Sequence, residues 1–540
     1  MSRATPSQVI EAFGREGFDF AGKADNGWFR VTGRLFSEVT PEGVPCEIEL
    51  DPNFFELPRV RLLEIPPHLP AAVPHLNANG GLCYIANGTV TLDIFDPISQ
   101  SLACLRQAQH VFDRIMRGEM VEDLAEEFYA YWNGAYCLSD LDGSAQGRQE
   151  CFIVDGNERP IWFVTNNLAR TKKKAELLGF TPTDRTTPTY RIKTTAQPRP
   201  VPGVWPPTTV SSLLTWQSQL DRRCRRSIHR RILQGERDRL NALLILIDSP
   251  KMTYAFGVIY ERDIRVPKVK FADRRDRTPG LAVLPFSVFR IDERYIAERN
   301  IPGRSTLAGR AIALIGCGTI GGFLAEMLVK AGAGTQGGKL KLVDFDTLVP
   351  QNLGRHRLGF PSLLQRKSVA MADELRRLAP GVSIEAVTLD AREVDLSDQH
   401  LLIDATGEES LGHWLANYYP RPTQVLSVWI EGPGVAVRTL LRTAQGGCYR
   451  CLWEFTRRGE MCSTTEPLPN ILAGHGCEGL YVPFGASVSI QASSLGVDAA
   501  LDWANGIVSP ALRTRVLDRD FTQATLDGDL PIERGCPACQ

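Results

Sequence analysis

One stretch, Ala311 to Asp346, most restricts what this 540-residue chain can fold into. The apolar run Ala311–Ile315 is typical of a buried strand, residues 316–322 read GCGTIGG, helical spacing follows over Phe323–Ala331, and Lys339–Val343 is a second strand ending at Asp344. Gly316, Gly318 and Gly321 let the backbone approach a phosphate, the helix N-terminus offers free N–H groups, and an acid after the second strand meets a ribose. A tight turn alone would explain the glycines. The complete order of elements favours a nucleotide site.

Three charged residues separate two kinds of nucleotide chemistry. Arg355 follows the second strand, Lys367 lies on a helix predicted to begin near Leu363, and Asp404 ends an apolar strand. A dehydrogenase needs only the glycine turn and the ribose acid. An enzyme that adenylates a carboxylate must also hold a triphosphate and Mg²⁺, because attack at the α-phosphorus builds negative charge. Arg355, Lys367 and Asp404 supply cations and a metal ligand, and so favour adenylation.

The order of these residues resembles the ThiF/MoeB and ubiquitin-activating family over about residues 305–540. That family's pattern is a GxGxxG turn, Asp-x-Asp, Asn-Leu-x-Arg, a helix lysine, and Asp-x-Thr at a strand end. The resemblance implies a Rossmann-like domain that binds ATP. The roles it implies are the ribose for Asp344, phosphates for Arg355 and Lys367, site construction for Asn352, and Mg²⁺ for Asp404. Gly407 departs from the pattern, where Asp or Asn is common.

Two cysteine pairs have the CxxC spacing, Cys448-Tyr-Arg-Cys451 and Cys536-Pro-Ala-Cys539. Two such turns can bring four thiolates to one tetrahedral Zn²⁺, even across a long gap. Redox pairs are the alternative. We expect a structural zinc site, whose loss would destabilise the domain without removing a reacting group.

Two further cysteines lie between these pairs. The run from Cys448 through Cys477 into EGLYVPFGASVSIQA resembles the family region in which a CxxC is followed by a loop cysteine, a proline and a small-residue helix. The alignment implies that Cys477, on a glycine-rich loop with His475, accepts the acyl group from the adenylate. Cys462 lies in an equally polar loop and is the second candidate. A loop cysteine without a role also stays open.

Near the other end of the chain, Cys83 follows the loop HLNANGGL at residues 75–82. A cysteine in this setting suggests a nucleophile, with the Asn77 amide placed to donate to an oxyanion during acyl transfer. For a lone cysteine, a small buried residue at a strand end is the commoner explanation. The surrounding order therefore decides between the two.

That order resembles the ubiquitin-conjugating enzymes over about residues 5–135. In that family a proline-rich passage leads to His-Pro-Asn, Gly-x-Ile/Leu-Cys, a Ser-Pro turn and a long helix. Ser99–Arg117 and Met120–Trp132 are predicted helices here. The resemblance implies a thioester on Cys83, an oxyanion donor in Asn77, and a loop-holding role for His75. The chain departs from the family in its leucine for proline, its shorter Asn-to-Cys spacing, and its missing tryptophan.

Residues 136–290 are predicted to form an α/β linker domain whose role the sequence does not reveal. Cys151–Val154 and Ile161–Thr165 are predicted strands, Leu243–Ile247 and Thr253–Tyr260 a strand pair, and Ser211–Leu240 one helix. That helix has a dense basic face, formed by Arg222, Arg223, Arg225, Arg226, Arg230 and Arg231. A nucleic-acid interface is one explanation. Interleaved acids and the lack of an aromatic platform favour a solvated or partner-facing helix.

Composition narrows the class of partner. A net charge of −1 gives no overall attraction to nucleic acid or to anionic membrane. The sequence contains neither an apolar N-terminal segment nor a run of ~18 apolar residues, so we expect a cytoplasmic protein that does not enter membranes. Its 13 cysteines then indicate thiols, metal or catalysis in preference to disulfides.

These observations predict an α/β multidomain chain: a ubiquitin-conjugating-like domain (1–135), a linker domain (136–290) and a ubiquitin-activating-like adenylation domain with a zinc clip (291–540). It resembles the fused activating–conjugating enzymes of bacterial anti-phage CBASS systems. The resemblance implies that ATP and Mg²⁺ activate the C-terminus of a ubiquitin-like protein or cyclic-nucleotide synthase. It further implies a relay from Cys477 to Cys83, conjugation to lysine amines of target proteins, and a homodimer. A sulfur-carrier activator and a non-catalytic nucleotide-binding scaffold are the alternatives.

Overall fold

The computed structural model describes residues 5–70, 73–77, 79–86, 89–90, 92–125, 127–132, 134–142, 145, 147–156, 159–201, 203–260, 277–474 and 481–539. The chain folds as two units, each with its own core. The first comprises Met1–Leu138, Gln146–Val164 and Thr183–Phe289, and the second comprises Ser139–Ala145, Thr165–Pro182 and Arg290–Gln540.

The first unit begins with an antiparallel sheet of five strands that pair in chain order, packed against two helices. The elements are α1 (Pro6–Arg15), β1 (Asp19–Lys23), β2 (Phe29–Leu35), β3 (Val44–Leu50), β4 (Arg59–Leu62), β5 (Gly81–Leu82) and α2 (Pro97–Met116). Both helices begin with proline in the first turn, where its missing N–H costs nothing. Phe13 of α1 and Phe112 of α2 bury their rings against the sheet. This module is the predicted α+β domain.

The prediction of one helix over Met120–Trp132 is wrong. The chain instead forms a 3₁₀ turn at Val121–Ala125 and a single turn α3 at Phe128–Tyr131. Tertiary packing overrides helical propensity here, because Phe128 and Trp132 are fully buried in a cluster of aromatic rings. Between the two turns, Glu127 is bonded to His75.

The linker region forms a closed seven-stranded barrel with helices, in the strand order β10-β11-β12-β6-β8-β7-β9. Its elements are β6 (Ala135–Asp140), β7 (Gly147–Val154), β8 (Ile161–Thr165), α4 (Leu168–Leu177), β9 (Thr187–Lys193), α5 (Val210–Leu220), α6 (Arg222–Arg237), β10 (Ala242–Asp248), β11 (Thr253–Ile259) and β12 (Val283–Arg290). The predicted strand pair is the antiparallel hairpin β10–β11, so that prediction is confirmed.

The predicted helix Ser211–Leu240 is two helices, because the chain breaks at Asp221. This residue has an extended backbone, and its side chain accepts hydrogen bonds from the N–H groups of Arg223 (2.7 Å) and Cys224 (3.1 Å). It therefore caps α6 and ends α5. Trp216 of α5 joins Phe128, Trp132, Trp205 and Tyr254 in the aromatic cluster.

The second unit is built on a seven-stranded sheet in the order β15-β14-β13-β16-β17-β18-β19. Its elements are α7 (Glu293–Arg299), β13 (Ala311–Ile315), α8 (Thr319–Lys330), β14 (Lys339–Val343), α9 (Lys367–Leu378), β15 (Ile384–Val387), β16 (Leu401–Asp404), α10 (Glu409–Tyr418), β17 (Val425–Glu431), β18 (Ala436–Arg442), α11 (Tyr449–Arg457), α12 (Ala486–Ala504) and β19 (Leu512–Val516). Strands β13 to β17 run parallel, and β18 and β19 are antiparallel to their neighbours. The Rossmann-like prediction is confirmed.

The helix that carries Lys367 was predicted to begin near Leu363, and this is wrong by one turn. Residues 360–362 form a 3₁₀ turn, and Leu364 has a positive φ of 64°. A helix cannot run through that left-handed residue, so α9 starts at Lys367 itself. Lys367 therefore lies at the sheet edge, where β13, β14 and β16 end.

Candidate active sites and metal centre

The glycine turn has two structural glycines and one that borders open space. Gly316 has a φ of 87°, a conformation that other residues rarely adopt. A Cβ on Gly321 would lie 1.8 Å from the Gly316 carbonyl oxygen, so a side chain there is excluded. Gly318, the N-cap of α8, has nothing within 4 Å of its Cβ position. The helix N-terminus is thus open where an anion would bind.

Parallel pairing brings the functional residues to one edge of the sheet. Strand β13 lies between β14 and β16, and Ile315 pairs with Val343 on one side and with Asp404 on the other. The carboxyl ends of the three strands therefore meet, which is where open α/β sheets bind ligands. The sequence-predicted residues Gly316, Asp344 and Asp404 come together there.

Asp344 is half-buried and bonded to the backbone around it. Its Oδ2 accepts the Cys317 N–H at 2.6 Å, and its Oδ1 accepts the Asp346 N–H at 2.7 Å. Burial raises the pKa of this carboxyl above its usual range, against the opposing effect of those two bonds. Each oxygen keeps a second lone pair that can accept a ribose hydroxyl. Asp344 thus shapes the glycine turn, and its contact with ribose stays a prediction.

Asp404 has the features of a metal ligand. It is only 5% exposed, and its Oδ1 accepts the Thr406 N–H (3.1 Å) and the Thr406 hydroxyl (2.7 Å). Burial raises the pKa of Asp404 to about 6. A bound cation would favour the ionised form and offset that cost. The donor set fits Mg²⁺, which prefers carboxylate oxygen.

Lys367 reaches the same edge but already has a carboxylate partner. Its Nζ lies 2.7 Å from Asp346 Oδ2, and its side chain is 9% exposed. Its N–H donates to the Asp346 carbonyl at 2.9 Å, and the Ser368 hydroxyl donates to the Asp344 carbonyl at 2.9 Å. Sequence reasoning left Asp346 out, although the Asp-x-Asp pattern contains it. Phosphate binding by Lys367 would exchange one anionic partner for another.

Arg355 faces the segment that follows the Cys477 loop. Its Nη1 donates to the Val482 carbonyl at 2.8 Å, and its guanidinium lies 4.3 Å from the Phe484 ring centroid. Burial lowers the pKa of Arg355, and a nearby anion would oppose that shift. Asn352 builds the turn beneath it, because its Oδ1 accepts the Val349 N–H (3.1 Å) and its carbonyl accepts the Arg355 N–H (3.1 Å).

His356 is a site residue that sequence reasoning missed. It is buried, its Nε2 lies 2.8 Å from the Cys317 carbonyl oxygen, and its Nδ1 accepts the Leu358 N–H at 3.0 Å. Burial lowers its pKa to about 4, so the ring is neutral at physiological pH. It therefore supports the glycine turn from below. The sequence feature that could have identified His356 as a site residue is its position directly after Arg355.

The four predicted zinc ligands form one cluster. The sulfurs of Cys448, Cys451, Cys536 and Cys539 all lie within 4.8 Å of one another. Three sulfur–sulfur distances are 3.8, 3.7 and 3.7 Å. Four sulfurs at Zn–S of about 2.3 Å in a tetrahedron lie about 3.8 Å apart, so the cluster fits Zn²⁺. Arg421 donates to the Cys539 sulfur at 3.4 Å, and the Glu533 N–H donates to the Cys451 sulfur at 3.3 Å.

Cys83 has an exposed sulfur at the end of the short strand β5. Its N–H donates to the His75 carbonyl at 2.8 Å, and its Sγ lies 3.9 Å from the Ile85 carbonyl oxygen. Partial burial raises the pKa of the Cys83 thiol, and the charge of Glu127 raises it further. Cys83 is thus accessible to a partner but is not activated as a thiolate.

His75 is held between two carboxylates. Its Nδ1 lies 2.6 Å from Glu127 Oε1, its Nε2 lies 3.0 Å from Asp123 Oδ2, and its N–H donates to Glu127 Oε2 at 2.9 Å. The hydrogen bond to Glu127 raises the pKa of His75 above its usual range. These bonds stabilise a residue with a φ of 60°. The pair Asp123 and Glu127 was missed from the sequence because it lies about 50 residues downstream.

Asn77 closes the loop before Cys83. Its Oδ1 accepts the Gly81 N–H at 2.6 Å, and the side chain is exposed. Among the described residues, the side chain of Asn77 forms hydrogen bonds through this oxygen and not through its amide nitrogen. The amide nitrogen is the group that an oxyanion would need, so the oxyanion role of Asn77 stays a prediction.

Cys477 lies outside the described residues. Among the described residues on either side of it, Ala473 and Tyr481 exchange two backbone hydrogen bonds of 2.9 Å. Cys462 is half-buried, with its Sγ 3.8 Å from the Glu460 carbonyl oxygen. These contacts do not distinguish Cys462 from Cys477 as the acyl acceptor, and the assignment of Cys477 stays a prediction.

Two family models match the chain, one over the region of Cys83 and the other over the region of the glycine turn. Prokaryotic E2 family B matches residues 30–137, and the ThiF family matches residues 294–523. The chain is therefore a fusion of an E2-like module with a ThiF module. A helix long and apolar enough to cross a membrane is not found in the part of the chain that the structure describes.

This fusion belongs to the family of ATP-dependent ubiquitin transferase-like Cap2 proteins. The Cap2 of Pseudomonas aeruginosa (strain BWHPSA011 / Pa011) is 62% identical over 539 residues, which cover 100% of this chain and 99% of that protein. The Cap2 of Escherichia coli (strain TW11681) is 25% identical over 91% of this chain and 90% of that protein. Among solved structures, E. coli MccB matches with a TM-score of 0.33 and 15% identity, over 43% of this chain and 66% of that one.

Proposed function

We propose that this chain activates the C-terminal carboxylate of a protein substrate with ATP and transfers it, through cysteine thioesters, to lysine amines of target proteins. The substrate is a ubiquitin-like protein or a cyclic-nucleotide synthase, and the setting is anti-phage defence in the bacterial cytoplasm. Membership in a family named for ATP-dependent ubiquitin transfer supports the reaction class. The nature of the substrate and the relay rest on the resemblance and on the residues at the two sites.

The observation that carries the proposal is the shared edge of β13, β14 and β16. An open helix N-terminus, a buried carboxylate with a raised pKa and a buried lysine converge there. A triphosphate and Mg²⁺ need this combination, since phosphate oxygens take the N–H groups and Lys367 while Asp404 takes the metal. When bound, Mg²⁺ would neutralise charge that develops on the phosphates. A redox dinucleotide would leave Asp404 and Lys367 without a task.

The proposed transfer of the acyl group from ATP activation to lysine has four steps. The substrate carboxylate attacks the α-phosphorus, and pyrophosphate leaves. The Cys477 thiolate attacks the acyl carbon, and AMP leaves. The Cys83 thiolate then displaces Cys477 from that carbon. A lysine amine finally bonds to the carbon, the C–S bond to Cys83 breaks, and the amine loses its proton to water. Each cysteine divides one difficult transfer into two easier ones.

We further propose that the chain acts as a homodimer with one structural Zn²⁺ in each subunit. We call the shared edge of β13, β14 and β16 the nucleotide edge. The segment beside it exposes large apolar side chains, with Phe360 75% and Leu364 78% exposed. Exposed apolar groups beside a site are typical of protein interfaces. Light scattering of the intact chain checks the mass, and Leu364→Glu is expected to shift it toward the monomer.

The relay is tested with each protein encoded beside the chain's gene, used as the candidate substrate with ATP. Adenylation is measured as pyrophosphate–ATP exchange, thioesters as dithiothreitol-sensitive bands, and conjugates as resistant bands. Cys83→Ala should keep exchange and the Cys477 thioester but lose conjugates. Cys477→Ala should keep exchange alone, and the matched Cys462→Ala should behave like the wild type.

Four outcomes contradict parts of the proposal. Conjugates that persist in Cys83→Ala would contradict the relay through Cys83, and a wild type that forms adenylate and thioester but no conjugate would favour the sulfur-carrier alternative, in which the E2-like module only docks a partner. Exchange that is absent with every partner would favour the non-catalytic scaffold, and exchange that survives in Asp404→Ala would contradict the role of Asp404 as the metal ligand.

A further inference from the structure

The helix α6 presents an unusual basic surface. Of its six predicted basic-face arginines, two are engaged: Arg225 donates to the Leu214 carbonyl at 3.2 Å, and Arg231 lies 4.3 Å from the Tyr190 ring centroid. The other four are exposed and define what we name the basic face: Arg222, Arg223, Arg226 and Arg230. No ion pair joins them to a carboxylate within the part of the chain that the structure describes. Only the opposite side of α6, with Ile228 and Ile232, is buried.

Folding gives no reason for this arrangement. Arg222 and Arg223 occupy the first turn, where the helix dipole is itself positive and disfavours cations. Arg222, Arg226 and Arg230 follow one another at spacings of four, so like charges face each other. The nearest acid, Asp221, is occupied as the cap of α6 and accepts the Thr194 hydroxyl at 2.7 Å. Its negative charge still acts on Arg223, so one carboxylate faces four exposed arginines. The remaining positive charge of the basic face suits an anionic partner.

The chemistry of the surroundings favours an acidic protein over a nucleic acid. Trp216 is the aromatic residue of α5 and α6, apart from the imidazole of His229, and it is fully buried. Bases of a single strand would find no exposed indole or phenyl ring on these helices for stacking. The basic face spans about 12 Å from Arg222 to Arg230, at about 1.5 Å per residue. Such a patch matches a short run of Asp and Glu side chains.

The basic face is also held in a fixed relation to Cys83. Trp216 stacks on Phe128 with centroids 6.0 Å apart and on Trp132 at 5.5 Å. The residue before Phe128 is Glu127, which holds His75, and the His75 carbonyl accepts the Cys83 N–H. All of these residues belong to the first unit. A partner docked on α6 would therefore keep a constant geometry toward Cys83.

We propose that the basic face of α6 docks an acidic surface of the target protein whose lysine takes the acyl group from Cys83. This deepens the proposed function and rests on it for the identity of the partner. Docking raises the local concentration of that lysine at the thioester, and so selects targets by an acidic region beside the modified lysine.

The test uses two synthetic peptides of equal length, each with one lysine and a flexible spacer. One ends in a run of Asp and Glu, and the other ends in Ser and Gly. Fluorescence anisotropy with the full chain measures binding without any chemistry, and the decay of a preformed Cys83 thioester measures acceptance. The charge reversal Arg226→Glu/Arg230→Glu is compared with Arg15→Glu/Arg106→Glu, which changes the same net charge at exposed positions of the first unit.

The acidic peptide is expected to bind the wild type roughly tenfold more tightly than the neutral one at low salt, and to lose that advantage as salt rises. Arg226→Glu/Arg230→Glu should abolish the preference in both assays, while Arg15→Glu/Arg106→Glu keeps it. Unchanged thermal unfolding of both variants shows that they fold.

Equal binding of the two peptides to the wild type overturns the proposal, as does equal loss in both variants. A single-stranded RNA that binds through Arg226 and Arg230 while the acidic peptide does not would also overturn it and identify a nucleic-acid surface. Binding that depends on these arginines in a chain that never forms a Cys83 thioester supports docking and refutes the proposed function instead.

Discussion

The nucleotide edge and the Cys83 loop are both candidate catalytic sites, yet they are built in opposite ways. At the nucleotide edge, Lys367 and Asp404 are buried, Asp344 is half-buried, and all three are fixed by backbone or side-chain bonds. At the Cys83 loop, the exposed sulfur directly follows a strand of two residues, and two acids from a distant segment hold the loop. A small ligand with a fixed charge pattern needs the first design. The proposed relay, in which Cys83 meets both the thioester donor and the target protein, needs the second.

The two sites also differ in the energetic cost of their ionisable groups. The nucleotide edge keeps a carboxylate in an environment that opposes its charge, which costs stability until a cation arrives. The Cys83 thiol also has a raised pKa, but its exposure leaves it open to partners that alter its surroundings. The charged groups of the first site are therefore already in place in the folded chain, whereas the reactivity of Cys83 depends on the partner that binds beside it. The predictions below follow from this contrast.

The largest effect is expected from one methyl group in the glycine turn. Gly321→Ala places a Cβ 1.8 Å from the Gly316 carbonyl oxygen and should prevent the turn from forming. The matched Gly318→Ala meets nothing within 4 Å and should fold with an unchanged melting temperature. Its extra methyl group should still weaken ATP exchange if phosphate approaches this position. Equal stability of the two variants would contradict the rigid picture of this edge.

Asp404→Asn should trade activity for stability. Removing the charge should lower pyrophosphate–ATP exchange by at least about a hundredfold, because the metal ligand is lost. The folded-state pKa of about 6 exceeds the ordinary 3.8, so the folded chain binds this proton more tightly and loses stability as the pH rises from about 4 to about 6. The variant should thus gain up to about 3 kcal/mol at pH 8, a gain that vanishes as the pH falls below 4. Denaturant unfolding at several pH values checks the sign.

The zinc cluster belongs to the same unit as the nucleotide edge and should affect stability more than chemistry. Cys536→Ser removes one of four ligands and should lower the unfolding free energy of that unit by a few kcal/mol, on the order expected for a structural metal. Metal analysis should find one zinc per chain in the wild type. The matched Cys462→Ser should keep both the zinc and the melting temperature. A chain that binds no zinc, with no loss of stability, would rule out the clip.

The smallest effect is expected at the Cys83 loop. Glu127→Gln removes the negative charge that helps to raise the Cys83 pKa, while the effect of burial remains. The pH profile of iodoacetamide labelling should therefore move to lower pH, with labelling at pH 8 faster by about two- to fivefold. Arg106→Gln, on the exposed side of α2, serves as the control. A profile that does not move would mean that the loop rearranges when the charge is removed.

Local patterns in the sequence predicted the nucleotide edge well. The bounds of β13 and β14 agree with the prediction, and β16 ends at Asp404 as predicted, because buried parallel strands are short apolar runs between clear turn signals. The four zinc cysteines were predicted for a similar reason, since their chemistry is carried by spacing. Asp346 and His356 were within reach, as both lie beside residues that were singled out.

Long-range packing explains what the sequence did not reveal. The clamp of Asp123 and Glu127 on His75 joins segments about 50 residues apart, and no local pattern signals it. The break at Asp221 depends on whether an acid in a polar run caps a helix or lies on its surface. The helix predicted over Met120–Trp132 yields to the burial of Phe128 and Trp132. In each case a tertiary contact overrides a local preference.

The aromatic cluster around Phe128 also governs how such enzymes can be taken apart. Phe128 and Trp132 follow the sheet of the conjugating module in sequence, yet their rings are shared with Trp216 and Tyr254 of the barrel. A fragment cut at residue 135 would carry two large rings into water and leave a hole in the remainder. We therefore expect an exchange of modules between relatives to fold only when the E2-like module and the barrel are exchanged together.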